Sequence, residues 1–184
     1  MKIYDAIAGR TGRADRRAPV VRAGYSGTQI ALHWIIAALI VAQVLLHEGM
    51  EVAYRFEQGG GPAPTESESL LATIHIACGI AVFVLALVRI VLRLRRGAPP
   101  PPREEHAILR LVAQATHFAF YAVILLMPLT GLLAWFGAVE AAAAVHAVGL
   151  PVILGLVFLH IVGAFYHHFV LKTDVLRRML RPER

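Results

Sequence analysis

Four histidines stand at positions suited to a redox metal held inside a membrane: His33, His75, His146 and His160. His146 and His160 lie in one apolar stretch, at positions i and i+14. On a helix that separation is about 21 Å of rise and about 40° short of four full turns, so the two rings share a face at two depths. One helix can thereby offer an iron ligand to each of two stacked sites. Neutral imidazole suits haem iron, and ligation relieves the cost of burying a polar ring. Without such a role, ionisable groups in an apolar span are expensive. The chain has one cysteine, Cys78, and no C-x-x-C-H motif, so a haem here is held without a covalent link.

The elements that must position these rings are membrane spans. Of 184 residues, 58% are hydrophobic and 16% charged, more apolar surface than a soluble domain of this length can hide. Four apolar runs, 28–47, 70–92, 113–136 and 143–171, approach or exceed the roughly 20 residues that cross a bilayer as a helix. The last is longer than needed and should tilt or protrude. EVAYRFEQGGGPAPTESES, between the first two runs, reads as a loop. RRGAPPPPREEH, between the second and third, is a proline-rich break followed by an amphipathic lead-in over 106–113. Met127-Pro128 predicts a kink, and the short connection near 137–142 makes the last two spans antiparallel neighbours. No internal repeat is present. The expectation is an all-α, integral membrane four-helix bundle, up-down-up-down, over 28–172, preceded by a flexible basic tail at 1–27 and followed by a basic cytosolic tail at 173–184.

Charge sets the expected orientation. Lys2, Arg10, Arg13, Arg16, Arg17 and Arg22 precede the first span, and no apolar signal-peptide core is found there. Arg93, Arg95, Arg96, Arg103 and Arg110 follow the second span, and Lys172, Arg177, Arg178, Arg181 and Arg184 follow the fourth. The first loop has only Arg55 against Glu48, Glu51, Glu57, Glu66 and Glu68, and the third has Glu140 alone. Both termini are therefore expected in the cytosol of a bacterial inner-membrane protein. The net charge of +6 then answers to anionic membrane lipid, and no nucleic-acid partner is needed.

Orientation gives each histidine a depth. His33 and His160 fall toward the cytosolic side, His75 and His146 toward the outer side. That is two bis-histidine pairs on three helices, the kind of site helix bundles build from facing side chains. His47 stands at the same i+14 spacing from His33 and competes with His75, although beside Glu48 it reads as a solvated interfacial residue. His117 competes with His33 and reads as a packing residue near the haem; His106 reads as surface. His167 follows His160 by seven positions and sits two turns nearer the cytosol on the same face, beyond reach of the same iron. It suits a quinone head group, a haem propionate or a proton relay, and with His168 it equally suits an interfacial anchor. Arg89, at i+14 from His75, reads as a snorkelling cation that could alternatively neutralise a propionate.

Taken in order, YSGTQIALHW, IHIACG, LVRIVLRL, HFAFYAVILLMPLTGLL, the His146–His160 spacing, HHF and LRRMLRPER resemble the bacterial cytochrome b561 family, related to the cytochrome b subunits of nickel–iron hydrogenases. The resemblance runs from Tyr25 almost to the C-terminus. It implies a four-helix bundle with two non-covalent b haems whose axial ligands are His33, His75, His146 and His160. Members close to this pattern are superoxide oxidase-like: superoxide donates an electron at the outer face and ubiquinone accepts it in the membrane. His167 matches the residue near the quinone in such proteins. The acidic first loop opposes an anionic substrate.

Three functions compete. One is a superoxide:ubiquinone oxidoreductase acting alone. Another is a cytochrome b subunit carrying electrons between quinone and a partner oxidoreductase. The third is a small transporter with histidine proton relays, which would bind no haem.

Overall fold

The structure, a computed structural model, describes residues 24–102 and 105–183. The expected N-terminal tail lies, up to residue 23, outside the described residues, as do Arg103, Glu104 and Arg184.

Local signals start and stop each helix. Ser26 Oγ accepts the Gln29 N–H and Gln29 Oε1 accepts the Ser26 N–H, a reciprocal box that opens α1 (Gly27–Leu45). After Leu46 the chain re-enters helix as α2 (His47–Glu57). Thr65 and Glu68 repeat the box at the head of α3 (Glu66–Arg96). Its first turn carries Glu66 and Glu68 and its last Arg93, Arg95 and Arg96, each sign at the helix end it stabilises. Gly97, at φ 78°, ends α3, and the proline run that follows has no N–H with which to resume it. His106 caps α4 (Ala107–Gly137), and left-handed Ala138 (φ 49°) turns the chain straight into α5 (Glu140–Phe165). A π-helical turn, Tyr166–Val170, extends α5, and the short α6 (Val175–Arg178) follows.

Four helices, α1, α3, α4 and α5 with its extension, are long and apolar enough to cross a membrane. No strand occurs among the described residues. Phe118, Phe136, Phe158 and Leu94 are among the large apolar side chains left exposed, a surface that only lipid makes stable. The fold is thus the expected all-α membrane bundle. The helices overrun the apolar runs that announced them because polar capping turns extend α3 and α4 past the hydrocarbon; the lead-in over 106–113 is simply the first turns of α4.

One expectation needs correction, and the C-terminal segment adds an observation. The first loop is helical up to Glu57, because its glycines, prolines and serines begin only at Gly59, and Gly49 and Ala53 pack α2 onto α3. A Cβ on Gly49 would come within 2.7 Å of the Leu71 Cβ. The C-terminal tail is also anchored. The Trp34 indole donates to the Met179 carbonyl at 2.9 Å, Arg178 donates to the Pro100 carbonyl at 2.9 Å, and the Glu183 N–H donates to the Tyr25 carbonyl at 3.0 Å.

Close backbone packing runs α1 to α3 to α4 to α5, so α5 meets α1 and α3 mainly through side chains. The core they share is small: Val82, Ala86, Ile124 and Ile153, flanked by Leu39, Ile40, Phe120 and Val157. Ile153 lies midway in sequence between His146 and His160. The core is therefore a septum between two histidine levels, named inner (His33, His160) and outer (His75, His146) after the orientation expected from the charge bias.

Candidate functional site

At the inner level, α1 brings His33 to His160 of α5 with ring centres 6.1 Å apart. At the outer level, α3 brings His75 to His146 of α5 with ring centres 6.4 Å apart. Two imidazoles on opposite sides of one metal, each bonded at about 2 Å through a ring about 1 Å in radius, have centres about 6 Å apart. Both pairs match that spacing. His117 comes to 5.3 Å from His160, edge-on at 88°, too close for a shared metal in the same sense. Among the described residues no group of three or more histidine, cysteine or carboxylate side chains is placed to hold a bare ion. The donors come in facing pairs, which suits an iron whose four other ligands belong to a porphyrin.

Ring orientation supports the fit. His146 Nδ1–H donates to the Met127 carbonyl at 2.8 Å, and Thr130 Oγ1 lies 3.4 Å from the same nitrogen. That bond places the proton on Nδ1 and leaves the Nε2 lone pair for a metal, the usual support of a ligating histidine. His75 Nδ1 is buried with no well-formed hydrogen bond among the described residues, the Gln43 backbone being the one polar group close enough to act on the ring, so the ring is free to turn toward a ligand. Between these rings opens a cavity of about 410 Å³, lined among others by His75, His146, Gly79, Gly131, Tyr54 and Trp135. Its size and apolar lining are those of a small-molecule or cofactor site. Helix α2 covers its mouth, with the Tyr54 ring 6.3 Å from Trp135.

Gly131 belongs to this arrangement. A Cβ there would come within 2.9 Å of His146 Cε1 and 3.1 Å of Nδ1. Gly131→Ala should therefore push the ring off its Met127 anchor. We expect a loss of about tenfold in affinity for whatever metal or cofactor the His75–His146 pair holds, the size typical of a disturbed ligand support, with the His33–His160 pair unaffected; titration with the candidate ligand, followed by absorbance, measures it.

The other sequence candidates fall as follows. His47 lines the cavity mouth, half-exposed, with Nε2 3.8 Å from Glu51. His117 Nδ1 donates to the Ala113 carbonyl one turn back, at 2.7 Å. Arg89 donates from its guanidinium to the Gln29 carbonyl at 2.9 Å, in the first turn of α1, and its charge bears on His33, His117 and His160. Gln29 is itself buried and donates to the Gly97 carbonyl, just past the end of α3. Arg89 thus reaches toward the helix ends, as a snorkelling cation does.

His167, in the π-helical turn, is drawn inward. Its Nε2 lies 3.3 Å from Glu105 Oε1, and its Nδ1 lies 3.2 Å from Thr173 Oγ1. His168 stacks edge-on against Phe169 instead. Glu105 went unnoticed in the sequence; a pair of adjacent acids, Glu104 and Glu105, in an otherwise basic loop was the signal.

Comparison with known proteins agrees with these features. The sequence profile of the prokaryotic cytochrome b561 family matches residues 24–182. Cytochrome b562 of Cereibacter sphaeroides is 36% identical over 163 residues, covering 86% of this chain and 96% of the relative. The probable superoxide oxidase CybB of Yersinia pestis is 25% identical over 181 residues, covering 87% and 97%. Cytochrome b561 homolog 1 of Escherichia coli is 28% identical over 181 residues, covering 85% and 96%.

Proposed function

The chain belongs to the prokaryotic cytochrome b561 family, a membrane electron-transfer cytochrome, and from that premise we propose that it carries electrons across the membrane from superoxide to ubiquinone. The observation that carries the reading is the pair of facing imidazole couples, at 6.1 and 6.4 Å, strung on one helix. We assign His33 with His160, and His75 with His146, as axial ligands of two b haems. A haem bound at each pair supplies a reversible one-electron carrier.

The chain's own residues do the rest. Met127 and Thr130 fix the His146 ring, Gly131 leaves it room, and α2 with Trp135 limits water at the outer cavity. Arg89 provides positive charge beside the inner pair, where a haem propionate would meet it. In this reading both termini are cytosolic, the bundle over 28–172 is the working unit, and the membrane is the bacterial inner membrane. His167 lies on the quinone side.

A second reading has an observation of its own. The outer face carries Glu48, Glu51, Glu57, Glu66, Glu68 and Glu140 against Arg55, a potential that repels superoxide and attracts a basic donor. That favours a subunit passing electrons between quinone and a partner oxidoreductase. A superoxide pulse on the purified, oxidised protein decides. Rapid appearance of the reduced haem spectrum, reversed by added ubiquinone, is the expected result; a spectrum indifferent to superoxide but responsive to quinol selects the second reading.

A further inference from the structure

Quinone reduction consumes one proton per electron: Q + 2e⁻ + 2H⁺ gives QH₂. The structure has a side-chain pair arranged to hold such a proton. Glu105, just before α4, has a side chain only 4% exposed, and His167 only 12%. The carboxylate and imidazole face each other at 3.3 Å. Thr173 Oγ1 donates its proton to the His167 carbonyl, so toward the ring it can only accept, and Nδ1 must donate to it. The remaining nitrogen, Nε2, faces Glu105 Oε1 at 3.3 Å. A ring whose orientation is fixed through one nitrogen and whose other nitrogen faces a carboxylate is the arrangement a proton relay needs. The pair sits where α5 widens into a π-helical turn, a distortion frequent at functional sites. His167 is two turns from His160 on the same face, about 10 Å along the axis.

We propose that Glu105 and His167 form the proton-loading pair for the quinone: Glu105 takes protons from the cytosolic water, and His167 passes them to the reduced quinone oxygen. The proposal rests on the ubiquinone reading above and adds Glu105 to it as the residue that sets the proton supply. The two electrons come from the outer one-electron donor, as in 2O₂•⁻ giving 2O₂ + 2e⁻. Charged groups on the elements packed here are Arg110, which donates to the Glu105 carbonyl, Lys172, and Asp174 paired with Arg178, together with the titratable His106 and His168.

The test uses the full chain with haem bound, reduced without oxygen and mixed with a short-chain ubiquinone across pH 6 to 9, with ferricyanide as an acceptor that takes no proton. Glu105→Gln should slow reoxidation by quinone about tenfold or more, most strongly at high pH. Its haem spectrum and ferricyanide rate should match the wild type, and acetate should restore the quinone rate. Glu105→Asp should fall between, and it serves should Glu105→Gln not accumulate. Wild-type quinone rates in Glu105→Gln overturn the proposal, as does equal slowing with both acceptors, which marks a structural role. If the wild-type protein itself fails to react with quinone, the ubiquinone reading falls first and this one with it.

Discussion

Replacing His160 with leucine is expected to abolish the inner haem and keep the outer one, so that haem content per chain falls by half. His160 is the ring on which the inner level converges: His33, His117 and Phe120 all contact it, with centres at 6.1, 5.3 and 5.4 Å. Without it, the remaining donor, His33, faces an apolar side chain that can hold no metal. Haem extraction and a redox titration report the outcome, and retention of both haems would falsify the ligand assignment. His33→Leu and His117→Leu separate the two candidates for the opposite side. At 6.1 Å His33 has room for a metal between the rings; at 5.3 Å, with its Nδ1 bonded to the Ala113 carbonyl, His117 has less. The first should lose the inner haem and the second should retain it.

The second large effect is expected at the outer level. His75→Leu should remove the outer haem, whereas His47→Leu should leave both bound. The His75 ring lies 6.4 Å from His146, and its Nδ1 is buried with no well-formed hydrogen bond among the described residues. The His47 ring, by contrast, is half in solvent beside Glu51. Loss of the outer haem on replacing His47, with His75→Leu unaffected, reverses the assignment. A shift in outer-haem potential without loss in His47→Leu is compatible with its place at the cavity mouth.

How far these features were legible in the sequence depends on what sets them. The spans were legible because hydropathy and helix length are properties of single segments, and the pairing of depths followed from rise per residue and charge bias. The i, i+14 spacing of His146 and His160 placed two rings on one face without any tertiary knowledge. Helix α2 was hidden for a compositional reason: its residues from Glu51 to Glu57 run directly into a Gly- and Pro-rich loop, and its first residue, His47, closes the apolar run of α1. The partner of Arg89 was not legible, because it is a backbone oxygen on another helix, that of Gln29. Glu105 was missed on the same principle. Its meaning comes from His167, which lies beyond two whole membrane helices in the sequence, and from a π-helical turn that no local propensity announces.

The apolar septum of Val82, Ala86, Ile124 and Ile153 has an electrical consequence. These four side chains offer a proton no polar group to follow, so charge that crosses between the two histidine levels crosses uncompensated. The levels are about 21 Å apart along α5, roughly two-thirds of a hydrocarbon layer about 30 Å thick. A full crossing is worth about 2.3 kcal/mol per 100 mV, so each electron moved inward works against about 1.5 kcal/mol per 100 mV of a membrane negative inside. On the proposed orientation, the protein's turnover is throttled by the energised membrane in which it sits, and a collapsed potential releases it.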